Sequence, residues 1–359
     1  MAKFKGYVPG EQPEAGWIKL NTNENPYEPP ASVINDLKNG LKDLRKYPDI
    51  DANEVKKQLA FNVRVNKESS LKMDSIVVGA GEDELLDLIF KTFIDKNDRV
   101  VFFSPSYGMY KVLCDIYDAV PVEIPLNPDF TIPEQKAIST PGKLMIFCSP
   151  NNPDGSRVPN DLIAKVCETF KGIVAVDEAY IDFAEDSALG LTTKYNNLII
   201  LRTFSKSYSM ASLRIGYIVS LNRDIILGIR KVKQPYNVNM AAQVAALAAL
   251  KHQSEVDETI KKVKNERNRL VGMLKQIPQI QVFPTESNFI LIKIAVGNDE
   301  TNQKINQKIF WELKKRKILV RTYPERPLYE FQRITVGKPE DDDKFVQVFK
   351  ECLEIGLSG

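Results

Sequence analysis

A lysine and an arginine follow one of the most apolar stretches of the sequence. The run NLIILRTF leads directly into Ser205 and Lys206, and Arg214 comes eight residues after the lysine. Lysine amines form Schiff bases with carbonyl compounds, and burial or a neighbouring cation lowers the pKa of the amine towards its reactive, neutral form. Arginine holds phosphate groups through paired hydrogen bonds. This segment therefore predicts carbonyl chemistry at Lys206 beside a group that binds phosphate.

A carboxylate ends another apolar run. In VAVDEAY, Asp177 stands at the end of a predicted buried strand. An unpaired charge in such a place is costly, so the carboxylate needs a partner. The protonated nitrogen of a bound ring is one suitable partner, and an ordinary salt bridge or a capping role is the other interpretation.

Three further segments that follow apolar runs offer binding groups. Gly79 and Gly81 precede a predicted helix, where backbone N–H groups suit a phosphate, although a tight turn explains the pattern equally well. Glu84 stands where a dinucleotide fingerprint needs its third glycine, which excludes that motif. Tyr107 could stack on a flat ring and Asn152 could place an amide over a site, but packing and turn roles suit them as well.

Together these residues match the requirements of pyridoxal 5′-phosphate (PLP). The chain presents, in order, a phosphate loop, an aromatic ring, an amide, a strand-end carboxylate and a lysine–arginine pair. PLP needs a phosphate anchor, a platform for its ring, a partner for its ring nitrogen and a lysine. The single histidine, His252, excludes a two-histidine metal site and disfavours a histidine-activated nucleophile. We therefore predict PLP as the cofactor and no metal.

Composition narrows the classes of protein. The 359 residues carry 49 basic and 47 acidic side chains, a net charge of +2, without long runs of one sign, so we expect no nucleic-acid partner. No stretch approaches the ~20 apolar residues that cross a membrane, and the N-terminus lacks the apolar core of a signal peptide. The four cysteines have no CxxC spacing, which favours free thiols in a reducing compartment. We predict a cytoplasmic protein.

A sheet in the middle of the chain must position the reactive residues. Between about Ser75 and Ser220, near-continuous apolar runs alternate with helix-period segments such as EDELLDLIFKTFI and PNDLIAKVCETFK. Such runs suit parallel strands buried on both faces, and open parallel sheets bind ligands beyond the carboxyl ends of their strands. The predicted fold class is α/β, a mostly parallel central sheet covered by helices, with a smaller α+β domain. We place an N-terminal arm that joins the small domain at 1–30, the large domain at 31–260 and the small domain at 261–359.

The sequence resembles the fold-type I PLP enzymes and, among them, the histidinol-phosphate aminotransferase family, along nearly its whole length. The motifs that carry the resemblance are YVPG at 7–10, LNTNENP at 20–26, KYPD at 46–49, SPNNP at 149–153, VDEAY at 176–180, RTFSK at 202–206 and RITVG at 333–337. Two places depart from the family pattern. Asp154 stands where the family usually has threonine, with its side chain expected to face the turn, and TYPERPLYEFQ lacks the small residues expected before Arg333.

The resemblance implies a PLP transferase of fold type I and a role for each site residue. Lys206 would bind the cofactor covalently and then move a proton between the substrate's Cα and the cofactor. Asp177 would pair with the ring nitrogen. The other implied cofactor contacts are Asn152 and Tyr180 on the ring's phenolic oxygen, Tyr107 on the ring face, and Gly81, Glu82, Asp83, Thr203, Ser205 and Arg214 on the phosphate.

The resemblance also implies substrate contacts and a partner. Arg333 would grip the anionic group beside the amine-bearing carbon, a phosphate ester in histidinol phosphate and a carboxylate in glutamate. Arg321 would be a second substrate-side arginine, although a solvated strand charge explains it almost as well. Tyr7 and Asn23 would close the pocket. Tyr47 would reach a phosphate in the neighbouring subunit, which implies an obligate homodimer.

The activity implied is transfer of an amino group between histidinol phosphate and 2-oxoglutarate or glutamate, in histidine biosynthesis. Two alternatives share the fold: an aromatic amino acid aminotransferase and a PLP-dependent decarboxylase of phosphorylated amino acids. An NAD-dependent dehydrogenase fails on the missing third glycine and leaves Lys206 unexplained. A transcription regulator would need a DNA-binding module ahead of the arm, and the YVPG motif begins at residue 7.

Overall fold

The computed structural model describes residues 6–63 and 71–358, whose strands form a seven-stranded and a five-stranded sheet. The strands are β1 (Ile18–Leu20), β2 (Ile76–Gly79), β3 (Arg99–Ser104), β4 (Val120–Pro125), β5 (Leu144–Cys148), β6 (Ile173–Asp177), β7 (Leu198–Thr203), β8 (Gly216–Val219), β9 (Ile280–Val282), β10 (Phe289–Ile294), β11 (Ile318–Thr322) and β12 (Phe331–Thr335). The α-helices are α1 (Ala31–Gly40), α2 (Asn53–Asn62), α3 (Glu82–Phe93), α4 (Met109–Ile116), α5 (Glu134–Ser139), α6 (Asn160–Thr169), α7 (Arg223–Val232), α8 (Met240–Lys251), α9 (Gln253–Leu274), α10 (Asp299–Lys315) and α11 (Pro339–Leu357).

The seven-stranded sheet has the order β2-β8-β7-β6-β5-β3-β4 and is parallel from β7 to β4. Neighbouring residues of β6 face opposite sides of the sheet, so that Val174 and Ala175 belong to separate apolar cores. A sheet buried on both faces explains why its strands read as unbroken apolar runs. The predicted α/β class, with a mostly parallel sheet covered by helices, is confirmed.

Strand β8 is an exception to the predicted direction. Its run was expected among the parallel strands, but β8 is antiparallel to both β2 and β7. The connection from β7 carries only the short 3₁₀ turn Ala211–Leu213, without a crossover helix that would return the chain to the starting edge. The four residues of β8 are buried, so their composition reports burial and not direction.

Two strands were not predicted because they lack an apolar run. Strand β4 lies at the sheet edge, pairs with β3 and has mostly exposed side chains. Strand β1 lies inside the predicted arm and pairs in parallel with β11 of the five-stranded sheet, whose order is β1-β11-β12-β10-β9. The arm therefore contributes a paired strand.

Helix α9 is shared between the two halves of the molecule. Its residues Val256 and Val263 pack in a core of the large sheet, whereas Leu270 and Leu274 pack in the core of the small sheet. The predicted domain boundary, between residues 260 and 261, falls inside this helix. In residues 6–63 and 71–358, no helix has both the length and the apolar character required to cross a membrane.

Candidate active site

The carboxyl ends of β5, β6 and β7 open into a cavity of about 420 Å³, at the edge where parallel sheets bind ligands. The arm and the five-stranded sheet complete its walls. The predicted site residues that line it are Tyr7, Asn23, Glu82, Asp83, Tyr107, Asn152, Asp177, Tyr180, Thr203, Ser205, Lys206, Arg214, Arg321 and Arg333. Of the described residues predicted for the site, Gly81 and Tyr47 lie outside this lining.

The Lys206 side chain is half-buried and lines the cavity. Its Nζ lies 3.5 Å from the carbonyl oxygen of Thr22 and 5.7 Å from the centre of the Tyr180 ring. Burial, and then the positive charge of Arg333, lower the pKa of the amine to about 8. The Asn25 amide donates to the backbone carbonyls of Lys206 and Ser207, at 3.2 and 3.1 Å. The structure thus holds a lysine whose amine loses its proton more easily than an exposed one.

Asp177 ends β6 with both carboxylate oxygens engaged. The Tyr110 hydroxyl donates to Oδ2 at 2.6 Å, and the backbone N–H of Ala179 donates to Oδ1 at 3.1 Å. Burial raises the pKa of Asp177, while these hydrogen bonds favour its ionised form. Burial and the charge of Asp177 raise the pKa of Glu82 well above its ordinary value, so we assign a proton to Glu82 and treat Asp177 as ionised. The site therefore offers one carboxylate at the end of β6, which suits the protonated nitrogen of a ring.

A cradle for a phosphate lies at the start of α3. Gly81 has a φ of 84°, and a Cβ there would lie 2.5 Å from Nη2 of Arg214, so only glycine fits. The Arg214 guanidinium donates to Ser205 Oγ at 3.4 Å and to Asp83 at 3.2 Å. Thr203 donates to Ser205 Oγ at 3.0 Å. Backbone N–H groups at a helix start, hydroxyls and a guanidinium together suit an anion.

The Tyr107 ring forms a wall between this cradle and the arm. Its hydroxyl donates to Asp83 Oδ1 at 2.8 Å. The rings of Tyr7 and Tyr110 meet it edge-on, with centres 5.5 and 5.7 Å away. These contacts fix the Tyr107 ring from both sides, as a stacking platform requires.

Arg333, on β12 of the five-stranded sheet, also lines the cavity and is almost completely buried. Its Nη2 donates to the carbonyl oxygen of Asn21 at 2.7 Å, and its Nη1 donates to Asn152 Oδ1. Its Nε has no hydrogen-bond partner, and its guanidinium lies 5.3 Å from the Phe289 ring centre. In the part of the chain that the structure describes, no carboxylate forms a salt bridge with Arg333. The cavity thus contains an arginine that only neutral groups contact.

Two contacts hold the arm against the cavity: one is made by Asn23 of the arm and the other by Arg321 of β11. The Asn23 amide donates to the Tyr180 hydroxyl at 3.0 Å. Arg321 donates to the backbone carbonyls of Val8 and Pro9, at 3.2 and 3.4 Å. Arg321 is therefore not simply solvated, since its two hydrogen bonds connect the arm to the five-stranded sheet.

Tyr47 is far more exposed than the other predicted residues. Its side chain is 79% exposed, and its ring stacks on Tyr236 with the centres 4.5 Å apart. Within its own chain, the structure does not bring Tyr47 to the cavity.

Some residues of the site were missed from the sequence. Tyr110 could have been found, because a tyrosine at the buried start of a helix needs a partner for its hydroxyl. Cys148, Tyr323 and Leu328 also line the cavity, and no local pattern marks them. Asp154 faces its own turn as predicted: Oδ2 accepts from the backbone N–H of Ser156 at 2.9 Å, and burial raises its pKa to about 6.

Residues 15–349 match the family described as "Aminotransferase class I and II". The chain belongs to this family. Histidinol-phosphate aminotransferase of Microcystis aeruginosa is 35% identical to this aminotransferase over 97% of the chain and 95% of the relative. The structure of histidinol-phosphate aminotransferase from Clostridium acetobutylicum superposes with a TM-score of 0.84 and 26% identity, over 94% of this chain and 99% of that one.

The family membership confirms the predicted cofactor: this aminotransferase uses PLP. A Sinorhizobium meliloti histidinol-phosphate aminotransferase, in complex with pyridoxal-5′-phosphate, shares the fold with a TM-score of 0.84 and 23% identity, over 94% of this chain and 91% of that one. The residues present fit PLP, because the cavity joins an anion cradle that a Cβ at Gly81 would fill, a strand-end carboxylate at Asp177 and an amine at Lys206 whose pKa is lowered.

Proposed function

We propose that this aminotransferase moves the amino group between histidinol phosphate and 2-oxoglutarate or glutamate, as a step of histidine biosynthesis. The observation that carries the proposal is the buried guanidinium of Arg333, which shares a cavity with the Lys206 amine and has no counter-ion among the described residues. An anionic substrate that brings an amine would satisfy both groups. The name and 35% identity of the Microcystis relative support the same substrate.

We assign the cofactor contacts to the residues that the sequence singles out. When bound, PLP withdraws electrons from the bonds at the substrate's Cα. Asp177 would keep the ring nitrogen protonated, because its carboxylate is fixed by Tyr110. The remaining contacts would be Tyr107 on the ring face, Asn152 and Tyr180 on the phenolic oxygen, and Gly81, Glu82, Asp83, Thr203, Ser205 and Arg214 on the phosphate.

Lys206 would hold the cofactor and carry the proton at the substrate's Cα. A general base works best when its pKa is near the working pH, and the pKa of about 8 meets that condition. The amide of Asn25 fixes the lysine backbone, so that the side chain moves without the strand end.

Arg333 would bind the anionic group beside the amine-bearing carbon in both half-reactions. A guanidinium accepts either a carboxylate or a phosphate, so one arginine serves both substrates. Arg321 would be a second substrate-side arginine. Tyr7 and Asn23 would close the pocket from the arm, which Arg321 holds through the backbone carbonyls of Val8 and Pro9.

We propose further that the site is completed by Tyr47 of a second copy of the chain, in an obligate homodimer. The exposed ring of Tyr47, stacked on the exposed ring of Tyr236, supports this, because contiguous exposed apolar surface marks interaction sites. Mixing Lys206→Ala chains with Tyr47→Ala chains tests it. If Tyr47 acts across the interface, hybrid dimers contain one intact site and recover up to about a quarter of wild-type activity. If Tyr47 acts within its own chain, mixing recovers nothing.

The arm at 1–30, the large domain at 31–260 and the small domain at 261–359 remain our proposed division, with α9 continuous across the second boundary. Limited proteolysis would contradict it by cutting first inside either sheet.

We also propose a cytoplasmic location, because all four cysteines are buried free thiols. Recovery of active enzyme mainly from a membrane or secreted fraction would oppose it.

Absorbance of the purified holoenzyme tests the function directly. Histidinol phosphate alone should bleach the near-visible band of bound PLP, and 2-oxoglutarate should restore it. The Lys206→Ala variant should stay folded and lose transamination. A PLP band that ignores histidinol phosphate but responds to phenylalanine, or to a phosphorylated amino acid with release of CO₂, would replace the proposal with one of the two alternatives. Absence of a band after PLP is added would contradict the cofactor assignment.

A further inference from the structure

We infer that Tyr323 is a specificity-determining residue, whose hydroxyl hydrogen-bonds a ring nitrogen of the imidazole substrate. Tyr323 lies just after β11 and lines the cavity together with Tyr7, Leu328 and Arg333. Its hydroxyl oxygen is buried and has no hydrogen-bond partner in the described part of the chain. The inference rests on the proposed function, because the substrate class determines which group reaches this wall.

The aromatic ring of Tyr323 is held in place. It packs against an apolar cluster formed by Phe130, Phe283, Leu291 and Phe331, with Leu328. Two residues earlier in the chain, Arg321 is anchored to the backbone of the arm. A buried hydroxyl on a fixed ring, in a residue that lines a cavity, is a preorganised hydrogen-bonding group.

The missing partner is the observation that points to a ligand. A buried hydroxyl without a hydrogen bond costs free energy, and most buried polar groups in proteins are paired. Burial raises the pKa of Tyr323, so the group stays protonated and both donates and accepts. A phenylalanine would pack on the same cluster without that cost, and hence the hydroxyl is best explained by something that enters the cavity.

The positions of the other groups indicate which part of the substrate reaches Tyr323. Lys206 and Arg333 account for the amine and the anionic group of the proposed substrate. The rest of the lining includes the rings and apolar side chains of Tyr7, Val8 and Leu328, together with the guanidinium of Arg321 and the unpaired hydroxyl of Tyr323. An imidazole fits such a wall, because it is flat and carries an N–H donor and a nitrogen acceptor at its edge. A phenyl ring fits the same space and leaves the hydroxyl unpaired.

Comparing two amines that differ only in this ring tests the inference. The probes are histidinol phosphate and the phosphate ester of phenylalaninol, which keeps the amine and the phosphate. The holoenzyme should prefer histidinol phosphate in kcat/KM, and Tyr323→Phe should reduce that preference about tenfold, mainly through KM. The melting temperature of the holoenzyme should not fall in this variant, since no protein hydrogen bond is lost.

Tyr329→Phe is the matched control. Tyr329 lies in the same segment, but its hydroxyl donates to Asp299 Oδ2 at 3.4 Å, away from the cavity. Removing it should leave the preference unchanged. The inference is wrong if Tyr323→Phe leaves the preference intact or lowers kcat/KM equally for both amines. A wild-type enzyme that transfers nothing from histidinol phosphate would instead overturn the proposed function.

Discussion

Two largely buried arginines, one on each sheet, have opposite surroundings, since one is paired with a carboxylate and the other is not. Arg202 of β7 donates from Nε to Glu178 Oε2 at 2.9 Å and from Nη2 to Ser187 Oγ at 2.8 Å. Glu178 is buried and also accepts from the backbone N–H of Ala188 at 2.7 Å. Arg333 of β12 donates instead to an amide oxygen and a backbone carbonyl, and among residues 6–63 and 71–358 its Nε has no hydrogen-bond partner.

The difference separates a structural charge from a functional one. A buried ion pair with complete hydrogen bonds is neutral overall, so it holds two segments together and attracts no ligand. A buried cation without a counter-ion remains attractive to anions and lowers the pKa of a neighbouring amine. Arg333 does both in the cavity with Lys206, at a cost in stability that the rest of the fold offsets.

Removing the carboxylate of the Glu178–Arg202 ion pair should have the largest effect on stability. Glu178→Gln leaves the Arg202 cation buried without its counter-ion, and we expect a loss of about 3–5 kcal/mol in the free energy of unfolding. Urea denaturation measures it. The double variant Glu178→Gln/Arg202→Met should recover part of the loss, because no unpaired charge remains. A loss below about 1 kcal/mol would remove the contrast between the two arginines.

Removing Arg333, the arginine without a carboxylate partner among the described residues, should reduce catalysis and not stability. Arg333→Gln is expected to lower kcat/KM for histidinol phosphate and for glutamate by roughly 100-fold each, because both would lose the same charged contact. Its unfolding free energy should not decrease, since a buried charge is removed. Arg333→Lys keeps the positive charge but lacks the planar guanidinium, so its kcat/KM should lie between those of the wild type and Arg333→Gln. An effect on only one substrate would show that the two anions bind at separate places.

The pH dependence of cofactor binding sharpens the comparison further. The neutral amine of Lys206 is the form that reacts with PLP, so the rate at which the cofactor-free enzyme takes up PLP should rise with pH through about 8. The Arg333 charge favours the neutral amine, and so Arg333→Gln should move the midpoint upward while Arg333→Lys leaves it in place. Stopped-flow absorbance measures the rate. An unchanged midpoint in Arg333→Gln would show that burial alone lowers the pKa.

The smallest effect is expected at a buried pair of like charges. Burial raises the pKa of Asp342 from 3.8 to about 8, and both a hydrogen bond to Glu266 and the negative charge of Glu266 add to this increase. The nearby positive charge of Arg269 opposes it. The folded chain therefore holds a proton that the unfolded chain releases, and stability present below pH 4 is lost as the pH rises through 8. Asp342→Asn imitates the protonated form, so at pH 8 it should melt roughly a few degrees higher than the wild type.

Thermal unfolding at several pH values checks this last prediction. The advantage of Asp342→Asn should shrink as the pH falls from 8 and vanish below pH 4, where Asp342 becomes protonated in the unfolded chain as well. An equal advantage at every pH would mean that the side chain acts through packing and not through its proton.

Local chemistry explains what could be predicted. Lys206, Asp177 and Asn152 each stand within a few residues of the end of an apolar run, and the ends of parallel strands meet at one sheet edge. Their convergence follows from strand order and spacing. The direction of a strand could not be predicted in the same way. Strand β8 is as buried and apolar as its neighbours but runs antiparallel to β7, because the segment that connects β7 to β8 contains no crossover helix.

By itself, the sequence determined the α/β class and the order of the cofactor-binding groups, since both depend on residues close together in the chain. The tertiary structure was needed to show that Arg333 lies against Asn21, 312 residues away. It was also needed to show that, within the described residues, Arg333 has no counter-ion and the Tyr323 hydroxyl has no hydrogen-bond partner. Whether a polar group is paired depends on every element packed around it. That information is absent from any local pattern, because charge balance and hydrogen bonding are properties of a three-dimensional neighbourhood.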